Sequence, residues 1–308
     1  MKTLKWFVAA SLAFVLIPML CAETHCPGDA VSIRPRFIDH SIIVIPVMLN
    51  GSGPYDFVLD TADQITVVDP VLAAELHLTS QGITHLIGAS TYTQASYAQL
   101  ESLQASAYTL NKVLALVSNL GQVQMTDPRV RGIVGQNFLE HFDLLIDYAR
   151  RVVCLDETAH MRQKVKGAHI ELLAPAPHPE RNVPYTQQLV VPVRFSQQQE
   201  QPLHLELDSG SNAPILFNPE KHLSHARFTN ASLHNRGADG GMYAFSVLLP
   251  ENIQVGRTLL HQIAFVTPVP STNNVPNKRP DADGLLPTAL FRRAFISYAE
   301  HFAVLDPW

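Results

Sequence analysis

The chain has 308 residues, of which 46% are hydrophobic and 16% charged, with a formal net charge of −5. That is apolar material for one large domain or two ordinary ones, and a composition unlike that of a disordered chain. The acidic balance and the lack of any basic stripe argue against nucleic acid as a partner.

At the N-terminus Lys2 and Lys5 precede an apolar run over residues 6–20, followed by the small residues Cys21 and Ala22. This is the pattern of a secretory signal, assigned to residues 1–22. The run is interrupted by Pro18 and falls short of the ~20 residues that a spanning helix needs, so no stable membrane span is expected in the mature chain. The expected location is exported, periplasmic or secreted. Cleavage after Ala22 leaves two cysteines, Cys26 and Cys154. An even pair in an oxidising compartment invites a disulfide, two free thiols being the alternative.

Residues 42–49 are rich in β-branched side chains and read as a strand, residues 50–54 as a hairpin tip, and residues 55–59 as the returning strand. That strand ends in Phe57-Val58-Leu59-Asp60-Thr61-Ala62. A glycine turn, Gly132-Ile133-Val134-Gly135, a short helical stretch at 137–141, and the sequences Ile146-Asp147-Tyr148-Ala149 and Leu155-Asp156 follow. Residues 172–185 contain Pro175, Pro177, Pro179 and Pro184 and read as a stiff linker.

The second half repeats the order. A strand at 188–195, a polar tip at 196–201 and a strand at 203–207 lead into Leu205-Glu206-Leu207-Asp208-Ser209-Gly210. Then come Gly284-Leu285-Leu286-Pro287, a helical stretch at 289–293, Ile296-Ser297-Tyr298-Ala299 and Leu305-Asp306. A proline-rich stretch at 267–280 reads as an exposed loop. The shared order implies a duplicated lobe, 23–171 and 186–308, each half supplying one carboxylate.

Asp60 and Asp208 are placed equivalently at the ends of the two motif strands. Two carboxylates brought face to face cannot both ionise easily, so they share a proton and serve as acid and base at once. Amide hydrolysis needs both functions, a water made nucleophilic and a leaving nitrogen made protonated. Thr61 and Ser209 are expected to bond across the interface behind the carboxylates. Ala62 and Gly210 are small because two loops must meet there, and Ser211 keeps a hydroxyl beside the second motif.

These motifs resemble those of the aspartic proteases of the retroviral and pepsin type, over roughly residues 37–156 and 186–306. The resemblance implies a mainly β, bilobal, pepsin-like or retropepsin-like fold with an interlobe cleft. It implies an aspartic endopeptidase acting on a peptide or protein substrate, with apolar residues beside the scissile bond. A monomer without metal or organic cofactor is expected. The chain departs from the family pattern at Ala62 in place of glycine, at Asp63 in place of a small or hydroxyl residue, and at Pro287 in place of the glycine matched by Gly135. Asp63 either points inward and adds like charge to the dyad or faces solvent. These departures support the alternative of a catalytically inactive homologue that binds a peptide or protein in its cleft.

Two glycine-tipped segments are candidate flaps over the cleft, plain surface hairpins being the other reading. The first includes Gly88, Ser90 and Tyr92, the second Gly240, Gly241 and Tyr243. The 14 histidines show no metal-binding spacing. His178, His222, His225 and His234 are placed in solvated loops, and His204 on the solvent face of its strand.

Overall fold

The computed structural model describes residues 26–88, 92–173, 188–195, 201–223, 226–237, 239–269 and 282–308. The expected signal segment, Ser90, His178, His225 and linker residues 174–185 lie outside these. The described residues are mainly β and form three sheets.

The first sheet has eight strands, in the order Arg36–Ile38, Ile42–Leu49, Ser52–Leu59, Val130–Val134, Thr66–Val68, Tyr108–Val117, Tyr92–Ala105 and Gly82–Ile87. The second has nine, in the order Phe228–Arg236, Met242–Leu248, Val266–Pro268, Ile215–Leu216, Gly284–Pro287, Leu203–Asp208, Val190–Phe195, Glu251–Val255 and Thr258–Ile263. In both sheets the strand that carries the aspartate motif lies between an antiparallel hairpin partner and a parallel strand. Ile45 faces Phe57, and Phe57 faces Gly132. In the second sheet Val191 faces Leu205, and Leu205 faces Gly284.

Alternation explains why these strands form. Phe57 and Leu59 bury one face in the main core with Ile43, Ile45 and Val134, while Val58 turns to a second cluster with Ile42, Val44 and Val67. Gly132 leaves room for Phe57, because a Cβ there would lie 2.1 Å from the ring. The returning strand starts at Ser52, inside the expected hairpin tip. Asn50 and Gly51 both adopt positive φ and make the turn in two residues, which is the backbone geometry a tight hairpin favours.

The third sheet departs most from the order read in the sequence. Its six strands run Val31–Ile33, Val152–Asp156, Asp143–Asp147, Arg293–Ser297, Phe302–Asp306 and Ile170–Glu171. The closing segments of the two halves therefore join in one sheet, with Asp143–Asp147 antiparallel to Arg293–Ser297 and Leu145 opposite Phe295. One face, including Leu144, Ile146, Ala294 and Ile296, enters the main core. The other face packs Leu145, Val152, Cys154, Phe295 and Val304 against Cys26 and Met161. Cys26 and Cys154 are joined by a disulfide.

Helices are short. Asp69 caps Pro70–Glu75 by accepting from the backbone N–H groups of Val71 and Leu72, and Pro70 occupies a position that needs no donor. After the two glycine turns come the helix Gln136–Leu139 and a single 3-10 turn, Thr288–Leu290. The expected second helical stretch is thus cut short, because Arg293 already pairs in the third sheet. His222 ends the helix Pro219–His222, with Nε2 3.5 Å from Asp283, and His234 lies on an exposed strand rather than in a loop. His204 is exposed on its strand. Among the described residues no helix is long and apolar enough to cross a membrane, and no three ligand-type side chains cluster as a metal site.

Candidate active site

Asp60 follows the strand Ser52–Leu59, and its N–H donates to the Val134 carbonyl at 3.0 Å. Asp208 ends Leu203–Asp208 opposite Pro287 in the parallel register. Each aspartate thus sits at the end of a parallel pair of strands, from which the following turn meets its counterpart from the other half.

The two turns interlock through their hydroxyl residues. Thr61 Oγ1 donates to the Leu207 carbonyl at 2.8 Å, and Ser209 Oγ donates to the Leu59 carbonyl at 2.7 Å. In return, Ser209 Oγ accepts from the Thr61 N–H and Thr61 Oγ1 from the Ser209 N–H, both at 3.1 Å. Thr61 and Ser209 are fully buried. Buried hydroxyls cost free energy unless bonded, so this reciprocal set holds the two halves in one register.

The turns also aim the carboxylates. Asp60 Oδ1 accepts from the N–H groups of Ala62 at 2.8 Å and Asp63 at 3.3 Å, and Asp208 Oδ1 accepts from the Gly210 N–H at 2.8 Å. The Asp60 carboxylate lies directly against Gly210, where an added Cβ would stand 2.0 Å from Oδ2. A side chain at residue 210 would displace that carboxylate. Asp60 is half-buried, whereas Asp208 is 5% exposed.

The other expected site residues fall into place as follows. Ala62 is buried and packs with Ile215, Phe217, Tyr243, Phe245, Val266 and Leu285 of the second half. Asp63 is half-buried, and its carbonyl accepts from the Gln136 N–H at 2.7 Å. The Ser211 hydroxyl donates to the Ala213 carbonyl at 2.8 Å, within its own turn. Gly88 and Tyr92 flank the tip of the hairpin made by Gly82–Ile87 and Tyr92–Ala105.

In the second hairpin, Phe228–Arg236 pairs with Met242–Leu248. Its tip is closed by a bond from the Gly237 N–H to the Gly241 carbonyl at 2.9 Å and one from the Gly240 N–H to the Gly237 carbonyl at 3.0 Å. The Tyr243 hydroxyl donates to Asp239, and its ring is buried in the cluster that holds Ala62. The Arg236 N–H donates to Gln122 Oε1 of the first half at 3.3 Å, so this tip reaches across to the other half.

Four polar residues near the turns escape a reading of motifs. Gln136 donates from Nε2 to the Thr61 carbonyl, and Asn137 Oδ1 accepts from the N–H and hydroxyl of Thr66, both at 2.9 Å. Glu206 is fully buried at the position matching Val58, and Gln188 Nε2 donates to its Oε2 at 3.2 Å. The only signal in the sequence was their closeness to the glycine turn or to Asp208.

The fold is mainly β, and its two halves carry matching aspartate turns that bond each other. Residues 45–138, which include Asp60 and the first glycine turn, match the family model described as aspartyl protease. A crystal structure of a retropepsin-like aspartic protease from Rickettsia conorii is similar over 41% of this chain and 88% of that chain, with 18% identity and a TM-score of 0.30. No curated protein matches the chain. The family match covers part of the first half.

Proposed function

We propose that the protein is an aspartic endopeptidase in which Asp60 and Asp208 share a proton and activate one water. The observation that carries this reading is the reciprocal bonding of Thr61 and Ser209, which brings the Asp60 carboxylate against Gly210, two residues from Asp208. The ionised carboxylate takes a proton from the water as its oxygen attacks the scissile carbonyl carbon. The protonated carboxyl gives its proton to the carbonyl oxygen, forming a neutral tetrahedral diol. Collapse returns a hydroxyl proton to one carboxylate while the other protonates the leaving nitrogen, and the C–N bond breaks.

The working unit in this reading is a monomer of two lobes, 23–171 and 186–308, joined by the linker 172–185. The substrate is an extended peptide lying between the lobes under the two hairpins. Export to a periplasmic or extracellular space belongs to the same reading and is supported by the disulfide between Cys26 and Cys154. The second reading is an inactive homologue that binds a peptide. It is favoured by Ala62, whose methyl occupies the place matching Gly210 and packs into the second half.

The test is cleavage of a denatured protein by the mature chain across pH 3–8, with and without a peptide mimic carrying a hydroxyl at the scissile position. Asp60→Asn and Asp208→Asn should each abolish turnover, and the double variant should lose no more than either single one. Near-normal turnover in either single variant would remove the dyad assignment. Binding of the mimic without hydrolysis by the unsubstituted protein would select the second reading.

A further inference from the structure

The sequence places a tyrosine at the same point after each closing strand, Tyr148 after Asp143–Asp147 and Tyr298 after Arg293–Ser297. Joining of these two strands in the third sheet carries Tyr148 onto the opposite half. The Tyr148 N–H donates to the Arg292 carbonyl at 3.0 Å. The Tyr148 hydroxyl bonds the Thr288 hydroxyl at 2.7 Å, and both residues are buried. Thr288 directly follows Pro287, the residue paired with Asp208.

The pseudo-symmetric counterpart of Thr288 is Gln136, which follows Gly135 and holds the Thr61 carbonyl through Nε2. The counterpart of Tyr148 is Tyr298, which is 6% exposed. Among the described residues, Gln136 Oε1 and the Tyr298 hydroxyl are buried atoms without a hydrogen-bond partner. One is an acceptor and the other a donor, at equivalent places in the duplicated plan.

The surrounding charges follow the same crossed arrangement. Burial raises the pKa of the Tyr148 hydroxyl; the Thr288 bond opposes this and the charge of Asp208 adds to it. Burial likewise holds Tyr298 well above the usual phenol range, reinforced by the charges of Glu140, Asp60 and Glu206. Both hydroxyls therefore stay neutral wherever a carboxylate pair works. The tyrosine of each half senses the aspartate of the other.

We propose that Tyr148 is a positioning residue that supports, through Thr288, the glycine turn and the aspartate of the opposite half. This rests on Asp60 and Asp208 being the working pair, but its signature can be read without turnover. Replacing either tyrosine by phenylalanine keeps the ring in the core and removes only the hydroxyl. A carboxylate above that site loses polar surroundings, so its protonation midpoint moves upward.

The test is a carbon-13 carboxylate titration of aspartate-labelled full chain, made in two backgrounds so that the coupled pair is read one group at a time. In Asp60→Asn protein, Tyr148→Phe should raise the Asp208 midpoint by about half a pH unit, roughly a threefold change in proton affinity, and Tyr298→Phe should move it less. In Asp208→Asn protein, Tyr148→Phe should leave the Asp60 midpoint close to its parent value. The paired variant Tyr148→Phe/Thr288→Val removes both hydroxyls, leaves no orphan, and should reproduce the Asp208 shift if Tyr148→Phe folds poorly.

Midpoints that superimpose on the parent proteins would overturn the proposal. So would equal shifts of both aspartates by Tyr148→Phe, the mark of general loosening. A shift confined to Asp208 in a chain that hydrolyses nothing would keep this inference and reject the protease reading.

Discussion

At Gly210 a side chain would displace the Asp60 carboxylate, since a methyl would stand 2.0 Å from it. The equivalent residue, Ala62, already carries a methyl, which is accommodated among Ile215, Phe217 and Tyr243. The duplicated turns are therefore alike in backbone and unequal in tolerance. Gly210→Ala should lower kcat by at least about a hundredfold, because the shifted carboxylate no longer meets its partner and water in line. Ala62→Gly should keep turnover within a fewfold range. Steady-state kinetics on one peptide decides both, and an active Gly210→Ala protein would show that the carboxylate has room to move.

Individual elements are also tied down by charge. Arg36, on the strand Arg36–Ile38, bonds Asp56 at 2.7 Å and also Asp127, which is held in addition by Arg129 Nε at 3.0 Å. Hydrogen bonds from Arg129, opposed by burial and aided by Arg36, lower the Asp127 carboxyl to about 2. A carboxyl whose pKa falls on folding stabilises the fold fully above its unfolded value, near 3.8, and loses that contribution as pH drops through about 2. The stability gap between the parent and Asp127→Asn should therefore be full at pH 5–7 and close toward pH 2. Urea unfolding midpoints at a series of pH values check this, and a gap independent of pH would refute the ionic account.

The same scale shows what a sequence reveals and what it hides. The strands leading to Asp60 and Asp208 and the turns at Gly132 and Gly284 were legible, because apolar alternation and glycine punctuation are written within a few residues. The pairing of Asp143–Asp147 with Arg293–Ser297 was not, since both segments read as ordinary apolar runs and their partners lie in opposite halves. Nor were Gln136, Glu206 and Tyr298 recognisable as buried. Polar side chains look like surface until the fold shows what covers them.

For the whole molecule, the shared sheet and the interlocked turns mean that each half leaves an edge and an aspartate that only the other half completes. If the halves were separate chains, the site would exist only in the associated fraction, and dilution would dissolve it. Here the connecting segment makes that encounter intramolecular, at an effective concentration in the millimolar range typical of short tethers. Specific activity should accordingly stay constant as the protein is diluted from micromolar to picomolar, and a fall on dilution would mean that the halves pair between chains. A seam that never has to find its partner in solution can also diverge freely. Natural drift has no need to keep its two sides identical, which is the freedom seen in Ala62 against Gly210, Gln136 against Thr288, and Val58 against Glu206.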